Sequence, residues 1–322
     1  MPYVLGERIV RGLHPELPSE INELSLRFLS DDDILIMNCC KSGEHRRSGR
    51  NRIDLSMVVN CYFDKESAAL DDLLNLYASY DPMLLDRLQL VIVDDGSPLK
   101  ITPEKLPLNL AFLRIMENIP WNQGGARNLG VVYAPSEKII MTDLDHYFTE
   151  SALFGMLDRK VPRKVIYKMP RYREEQLVRH HPNTFLLCRS RFLELFGYDE
   201  EFSGNYGCDD AMFVNWQYMM GTSFRWLPEK CAVRLRDFDV ERETHSLVRD
   251  REQNLELLNL RTKALREYGP GAGHSRKFLS FNWETVTSSH RSTINQNTPT
   301  SFWWRFRLQV LGRLNRRSNR YT

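Results

Sequence analysis

Apolar residues in the first half of the chain occur either in short continuous runs or at three- and four-residue spacings. The runs predict buried strands at residues 55–60, 88–93, 109–116 and 138–141. The spacing of Leu70, Leu73, Leu74 and Tyr77 predicts a helix after the first strand, and residues 124–133 predict another before the fourth. Strands that alternate with helices predict an α/β fold, with a mostly parallel sheet flanked by helices.

The second half of the chain is less regular. Its pattern predicts strands at 165–169 and 184–188, a helix at 209–220 and a long polar helix at 245–268. The long helix ends at Gly269-Pro270-Gly271, a strong helix breaker, where we place a domain boundary. The expected organisation is an accessory segment at 1–53, a main domain at 54–268, a linker at 269–300 and a helical tail at 301–322.

Composition and charge narrow the class of protein. The 322 residues are 42% hydrophobic, enough to bury a substantial core, and they include neither a long apolar stretch nor a recognisable secretory signal. We therefore expect a cytoplasmic protein. The net charge of +2 is unevenly distributed along the chain. After Glu284 there is no acidic residue, but there are seven arginines from Arg291 to Arg320. The main body is acidic by comparison, which argues against a nucleic-acid partner.

Two carboxylates stand at the end of the fourth predicted strand. Asp143 and Asp145 flank one leucine in Asp143-Leu144-Asp145-His146, directly after the apolar run. Ligands of open α/β sheets bind at the carboxyl ends of the strands. Carboxylate oxygens there suit Mg²⁺ or Mn²⁺, ions that commonly neutralise a diphosphate. The tripeptide alone is weak evidence, since acidic turn residues are common.

A second acidic turn follows the second predicted strand. In Asp94-Asp95-Gly96-Ser97 both carboxylates again stand at a strand's carboxyl end. A carboxylate at this place can accept a hydrogen bond from a nucleobase, and Tyr62, after the first strand, can stack on the base. The alternative interpretation is an ordinary Asp-Gly turn beside a core tyrosine.

These segments together resemble the family 2 glycosyltransferases of GT-A fold. Residues 56–62 resemble the opening strand of that family, residues 94–97 its second acidic turn and Gly125-Ala126-Arg127-Asn128 its helix start. Thr142-Asp143-Leu144-Asp145 stands in the place of the metal motif. Residues 183–192, 197–200 and 206–210 resemble the acceptor-side segment of galactosyltransferase-like members. The likeness spans about residues 54–265.

The resemblance implies a metal-dependent inverting glycosyltransferase that uses a nucleotide-sugar donor, with a UDP-sugar favoured. It implies Asp143 and Asp145 as ligands of Mn²⁺ or Mg²⁺, with His245 as a third ligand and Asp237 and Asp239 as rivals for that place. Its implied donor contacts are Tyr62, Asp94, Asp95, Arg127 and Asp143. For Arg127, pairing with a turn carboxylate is the alternative role.

The acceptor side carries the predicted general base. Asp210, at the start of an apolar helix, is placed to take the proton of an acceptor hydroxyl, and its neighbour Asp209 is placed to bind acceptor hydroxyls. Both can equally serve as N-terminal acids that stabilise the helix dipole. Tyr206 and Trp216 are predicted to stack on acceptor sugars, with a core position as the alternative for Trp216.

The sequence departs from the family pattern at two informative places. Asn60 replaces a proline common in the first strand, and the pair Asp209-Asp210 replaces Glu-Asp, which leaves the base less firmly assigned. Neither His180-His181 nor Cys39-Cys40 with His45 has the spacing of a metal site.

The tail suggests a further partner. Wound as a helix, residues 301–314 place aromatic and aliphatic side chains on one side and arginines around the rest, which favours an anionic membrane surface and a glycan or lipid-linked glycan acceptor. A helix docked on protein is the alternative. Two other function classes stay open: a non-catalytic nucleotide- or glycan-binding protein of GT-A fold, and a membrane adaptor that depends on the tail.

Overall fold

A computed structural model describes residues 53–237, 243–269 and 271–291. The strands of its main sheet are β1 (Leu55–Cys61), β2 (Leu88–Asp94), β3 (Leu110–Ile115), β4 (Lys138–Asp143), β6 (Val165–Lys168), β9 (Phe185–Cys188), β10 (Ser223–Trp226) and β12 (Trp283–Ser289). These eight strands lie in the order β10-β6-β9-β4-β1-β2-β3-β12. Strands β4, β1, β2 and β3 run parallel to one another, and β9 and β12 pair antiparallel with their neighbours.

The helices cover both faces of this sheet. They are α1 (Ala69–Ala78), α2 (Pro82–Leu85), α3 (Gln123–Tyr133), α4 (Glu150–Leu157), α5 (Arg189–Glu194), α6 (Asp209–Met219) and α7 (Glu252–Tyr268). Two short 3₁₀ helices lie at Glu200–Phe202 and Glu229–Cys231. A second sheet has the order β5-β11-β7-β8 and comprises β5 (His146–Tyr147), β11 (Val233–Leu235), β7 (Arg171–Arg173) and β8 (Gln176–Val178).

Alternation along β1 explains the two hydrophobic layers. Leu55, Met57 and Val59 pack with α1 and α4 on one face of the sheet, and Val58 packs with α3 on the other. Every residue of β1 and β2 is buried, as expected for parallel strands covered on both faces. The predicted α/β fold with a mostly parallel sheet flanked by helices is confirmed.

Helix α3 lies unusually close to the sheet. A Cβ atom added at Gly130 would lie 2.3 Å from Cγ1 of Val58 and 3.3 Å from Cγ2 of Val93. Only glycine permits this approach, and the same helix carries Arg127.

Two predictions for the C-terminal part are wrong. The pattern predicts a helix from 245, but α7 begins at Glu252, because residues 244–248 make tertiary hydrogen bonds instead. The pattern also predicts a linker over 269–300, but within it β12 pairs antiparallel with β3. Its Thr- and Ser-rich sequence suits a half-exposed edge strand, where one face needs no apolar residues.

This C-terminal segment is joined to the main domain by a buried carboxylate. Glu200 accepts hydrogen bonds from Asn128 Nδ2, from the backbone N–H of Leu279 and from the N–H and hydroxyl of Ser280. The predicted boundary at 269 therefore does not separate two packing units. The accessory segment up to residue 52 and the tail from 292 lie outside the described residues. Within the described ranges, no helix is long and apolar enough to cross a membrane.

Candidate functional site

Three neighbouring parallel strands bring the predicted site residues to one edge of the sheet. In the registers of β1 with β4 and β2, Asn60 lies opposite Asp143 and Cys61 lies opposite Asp94. Asp145 lies two residues beyond the end of β4, and Asp95 directly follows β2. The two acidic segments are about fifty residues apart in the sequence. They nevertheless lie at the same edge of the sheet, as the strand pattern predicts.

A buried arginine connects two of the predicted carboxylates. The side chain of Arg127 is fully buried; its Nη2 lies 2.5 Å from Asp143 Oδ1 and its Nη1 lies 3.8 Å from Asp209 Oδ2. Its guanidinium also lies 5.3 Å from the ring centre of Tyr198, which stacks on Phe213. The network thus joins the end of β4 to the start of α6.

The charges of this network shift the pKa values of its members. Burial alone would raise the pKa of Asp143, but Arg127, with smaller effects from His181 and His146, lowers it below the ordinary value. For Asp209 burial dominates: it raises the pKa to about 6, with Arg127 opposing and Asp210 adding to the shift. Asp143 is therefore held as a carboxylate, and Asp209 takes up a proton more readily than a solvated acid.

Two histidines lie behind the acidic motif, and the sequence pattern did not single out this arrangement. His146 is buried; its Nδ1 is 2.6 Å from Asp145 Oδ1, although the two groups are not aligned for a hydrogen bond. His181 Nδ1 lies 3.5 Å from Asp143 Oδ2, and the two imidazole rings are 4.6 Å apart. Burial lowers the pKa of His181 to about 4, so the ring is neutral near pH 7.

The carboxylates of the motif fit a divalent cation, but the predicted third ligand does not join them. Asp145 Oδ1 is buried and makes no hydrogen bond among the described residues, although His146 Nδ1 lies 2.6 Å away, and a carboxylate oxygen of this kind is a suitable ligand for Mn²⁺ or Mg²⁺. In the same ranges no group of three His, Cys, Asp or Glu side chains is assembled to bind a metal. The ring of His245 lies instead against Tyr62 and Trp121. Asp239, a rival ligand, lies outside the described residues, and Asp237 is an exposed loop residue.

The two acids after β2 differ in their surroundings. Both oxygens of Asp94 are occupied: Oδ2 accepts from Arg114 Nε at 2.8 Å, and Oδ1 accepts from the N–H of Ser97 at 2.9 Å. These bonds build the turn, and the Asp94 side chain is fully buried, so Asp94 has a structural role in the turn. Asp95 is also buried, but its Oδ1 has no partner among the described residues, and burial raises its pKa well above the ordinary value.

Gly96 makes this turn possible. Its φ is +74°, and a Cβ atom there would lie 2.3 Å from the carbonyl oxygen of Glu117. Tyr62 lies on the same side, with its hydroxyl 3.3 Å from Asn118 Oδ1. The loop before α3 therefore closes over the end of β2, next to Asp95 and Tyr62.

The acid pair opens α6 after a strained turn. Gly207 and Cys208 both have positive φ, +79° and +67°, and Cys208 is a non-glycine residue in the left-handed region. Asp210 Oδ1 accepts a hydrogen bond from the N–H of Ala211 at 2.7 Å. Both acids lie in the first turn of α6.

The two aromatic residues predicted to bind the acceptor, Trp216 and Tyr206, differ in their burial. The prediction for Trp216 is wrong: its side chain is 2% exposed, packs in the core with Phe202 and Met212, and donates Nε1–H to the carbonyl of Leu195. Helical spacing from Met212 places it on the buried face of α6. Tyr206 is half-buried and lies beside Trp121, with ring centres 4.6 Å apart.

Comparison with known proteins yields one family and several solved structures. The family model of glycosyl transferase family 2 matches residues 58–224. TarS from S. aureus in complex with UDP-GlcNAc is similar at 16% identity and a TM-score of 0.46, over 66% of this chain and 66% of TarS.

Two further structures resemble the chain. The mannosyltransferase PcManGT from Pyrobaculum calidifontis, in complex with GDP-Man and Mn²⁺, has 16% identity and a TM-score of 0.41 over 62% of each chain. GalNAc-T7 with UDP, GalNAc and Mn²⁺ has 13% identity and a TM-score of 0.43 over 67% of this chain and 50% of its own. The chain thus spans less than two-thirds of the length of each structure. No curated protein matches.

Proposed function

The chain belongs to glycosyl transferase family 2, and from this premise we propose that it transfers a sugar, with inversion, from a UDP-sugar to a hydroxyl of a glycan or lipid-linked glycan. The predicted enzyme class, a glycosyltransferase, agrees with the family. The proposal goes beyond the family in four respects: the identity of the nucleotide, the use of a metal, the stereochemistry and the acceptor.

One observation carries the proposal: Arg127 lies between Asp143 and Asp209. Asp143 belongs to the motif proposed to hold the donor diphosphate, and Asp209 belongs to the acid pair on the acceptor side. A sugar that reacts between these groups needs both held at a fixed distance, since misplacement by about 1 Å can cost a hundredfold in rate. A fully buried guanidinium that hydrogen-bonds Asp143 and lies 3.8 Å from Asp209 supports such fixed geometry.

We propose that Asp145, with Asp143 directly or through water, holds Mn²⁺ or Mg²⁺. A bound cation neutralises the negative charge that grows on the leaving diphosphate. Arg127 keeps Asp143 ionised at neutral pH, and His146 lies beside Asp145 and His181 beside Asp143. Asp95, with its unpaired buried oxygen, is proposed to accept from the ring N–H of the base, and Tyr62 to stack on it.

The acceptor hydroxyl requires a base, because its pKa lies far above neutral. Asp210 is proposed to take its proton on the face of the sugar opposite the diphosphate, and such direct displacement inverts the anomeric centre. Asp209, which faces Arg127, is proposed to hold acceptor hydroxyls. It is also the rival base, because its pKa of about 6 is better matched to proton transfer near neutral pH.

Nucleotide release from a panel of UDP-sugars, with mixed glycans as acceptors, tests this assignment. Asp210→Asn should slow turnover by about 10²–10⁴-fold, the usual contribution of a general base. Asp158→Asn, at an exposed acid, is the matched control and should leave the rate unchanged. A rate that survives Asp210→Asn but not Asp209→Asn would transfer the role of base to Asp209. An anomeric proton spectrum of the product that shows retention would contradict direct displacement.

A further inference from the structure

Two aromatic rings and an arginine form an open surface beside the acid pair. Trp121 lies just before α3 and Tyr206 just before α6, and their ring centres are 4.6 Å apart at 58°. The guanidinium of Arg249 lies 5.1 Å from the ring centre of Tyr206 and 6.0 Å from that of Trp121. Both rings are half-buried and Arg249 is exposed, so the surface is reachable from solvent.

The position of Trp121 is held by the surrounding chain. Its φ is +53°, a left-handed conformation that is costly for a bulky side chain. Its Nε1–H donates to the carbonyl of Val248 at 2.9 Å, and the ring of His245 meets it edge-on at 5.3 Å. A strained backbone that these contacts maintain is the kind of outlier that points to function.

A second arginine lies over the same turn. A Cβ atom added at Gly207 would lie 3.3 Å from Cγ of Arg251, so the stem of Arg251 covers the residue next to Tyr206. Arg251, like Arg249, is exposed. The guanidinium of Arg249 therefore lies near both aromatic rings, and the stem of Arg251 covers the adjoining turn, which leads within three residues to the acid pair at 209–210.

We propose that Trp121, Tyr206, Arg249 and Arg251, hereafter the aromatic–arginine platform, bind the acceptor as an acidic glycan. A sugar ring presents an apolar face that packs on aromatic rings, and guanidinium groups bind phosphate or carboxylate through paired charged hydrogen bonds. The inference rests on the proposed function for its acceptor role. The recognised chemistry is a sugar ring next to an anionic group, supplied by either a phosphate-containing or a uronic acid glycan.

Titration calorimetry with three probes tests the platform directly: an oligomer of glycerol phosphate carrying sugar, an oligogalacturonate, and neutral maltohexaose. At least one anionic probe should bind tenfold or more tightly than maltohexaose, and the two anionic probes separate phosphate from carboxylate. Tyr206→Ala and Arg249→Ala should each weaken that binding by roughly tenfold. The effect of Arg249→Ala should shrink as salt is raised.

Matched controls come from α6 and β10. Tyr218→Ala removes an aromatic side chain that is 69% exposed, and Arg225→Ala removes an exposed arginine; neither should alter glycan binding. Equal affinity for neutral and anionic probes, or equal losses in platform and control variants, would overturn the proposal.

Titration in the presence of saturating UDP separates this inference from the proposed function. Glycan affinity that persists with UDP bound supports an acceptor subsite distinct from the nucleotide site. If UDP displaces the glycan, the platform is part of the nucleotide site and the proposal is wrong. If glycan binds and no nucleotide does, the proposed transferase fails while the platform stands.

Discussion

At the scale of single residues, Arg127 organises the site. It is a fully buried cation whose two carboxylate neighbours come from β4 and α6, and its aromatic neighbour Tyr198 shields it from water. The sequence predicts Arg127 as a donor contact or a partner of a turn carboxylate. The structure pairs it with a carboxylate of the acidic motif, Asp143, and adds Asp209 as a second acidic neighbour, which the sequence did not predict.

The same network predicts a dependence of stability on pH. The pKa of Asp209 is raised from 3.8 to about 6 in the folded protein, so its contribution to stability is present below pH 4 and is lost as the pH rises through 6. Asparagine stays neutral. The free energy of unfolding of Asp209→Asn should therefore rise relative to wild type by about 2 kcal/mol between pH 4 and pH 7.

Urea denaturation at several pH values measures this difference. The exposed acid in Asp158→Asn serves as the control and should give a curve parallel to wild type. A parallel curve for Asp209→Asn as well would show that Asp209 has an ordinary pKa, and would remove it as a rival base.

At the scale of elements, the contact of α3 with the sheet is the feature most sensitive to substitution. Gly130→Ala would place a methyl group 2.3 Å from Val58 Cγ1, inside a packed layer. We expect a loss of about 1–3 kcal/mol in the free energy of unfolding, despite the better helix propensity of alanine. Turnover should fall too, because α3 carries Arg127.

Gly155→Ala is the matched helical control for this substitution. Its added Cβ would meet only the sulfur of Cys231, at 3.1 Å, so stability should stay within about 1 kcal/mol of wild type. Equal urea midpoints for the two variants would contradict the close packing of α3.

The elements also show what sequence can and cannot predict. Buried strands such as 88–93 and the helix with Leu70, Leu73 and Leu74 are confirmed, because continuous apolar runs and three-to-four spacing are local signals. The start of α7 and strand β12 are not predicted, since residues 244–248 and 283–289 lack a continuous apolar run and take their conformation from distant partners. The pairing of His181 with Asp143 is likewise a product of topology.

Among the site residues, too, the sequence predicts what depends on local pattern and misses what depends on distant partners. The edge position of Asp95, Asp143 and Asp145 follows from strand ends, which the pattern predicts. The occupation of Asp94 by Arg114 and Ser97 depends on a partner twenty residues away on the next strand, so an acidic turn alone cannot separate the structural acid from the available one. For Trp216 the local pattern was sufficient: its helical spacing from Met212 predicts a core position, and its side chain is buried.

At the scale of the whole molecule, the arginine-rich tail at 301–322 lies outside the described residues. Its sequence predicts that it binds an anionic membrane surface. If it binds anionic membranes, deletion of these residues should abolish co-sedimentation with phosphatidylglycerol vesicles and leave turnover of a soluble acceptor intact. Loss of both would identify the tail as part of the folded enzyme, and unchanged sedimentation would exclude it as the membrane contact.

Thermal unfolding with nucleotides and nucleotide sugars, with and without Mn²⁺, tests the central claim most directly. We expect that one nucleotide class, UDP and UDP-sugars, raises the melting temperature of the protein only when Mn²⁺ is present. Asp145→Ala should lose this shift, and Asp158→Ala should keep it. No shift with any nucleotide, or a shift that Asp145→Ala retains in full, would contradict a metal-assisted donor site at the ends of β2 and β4.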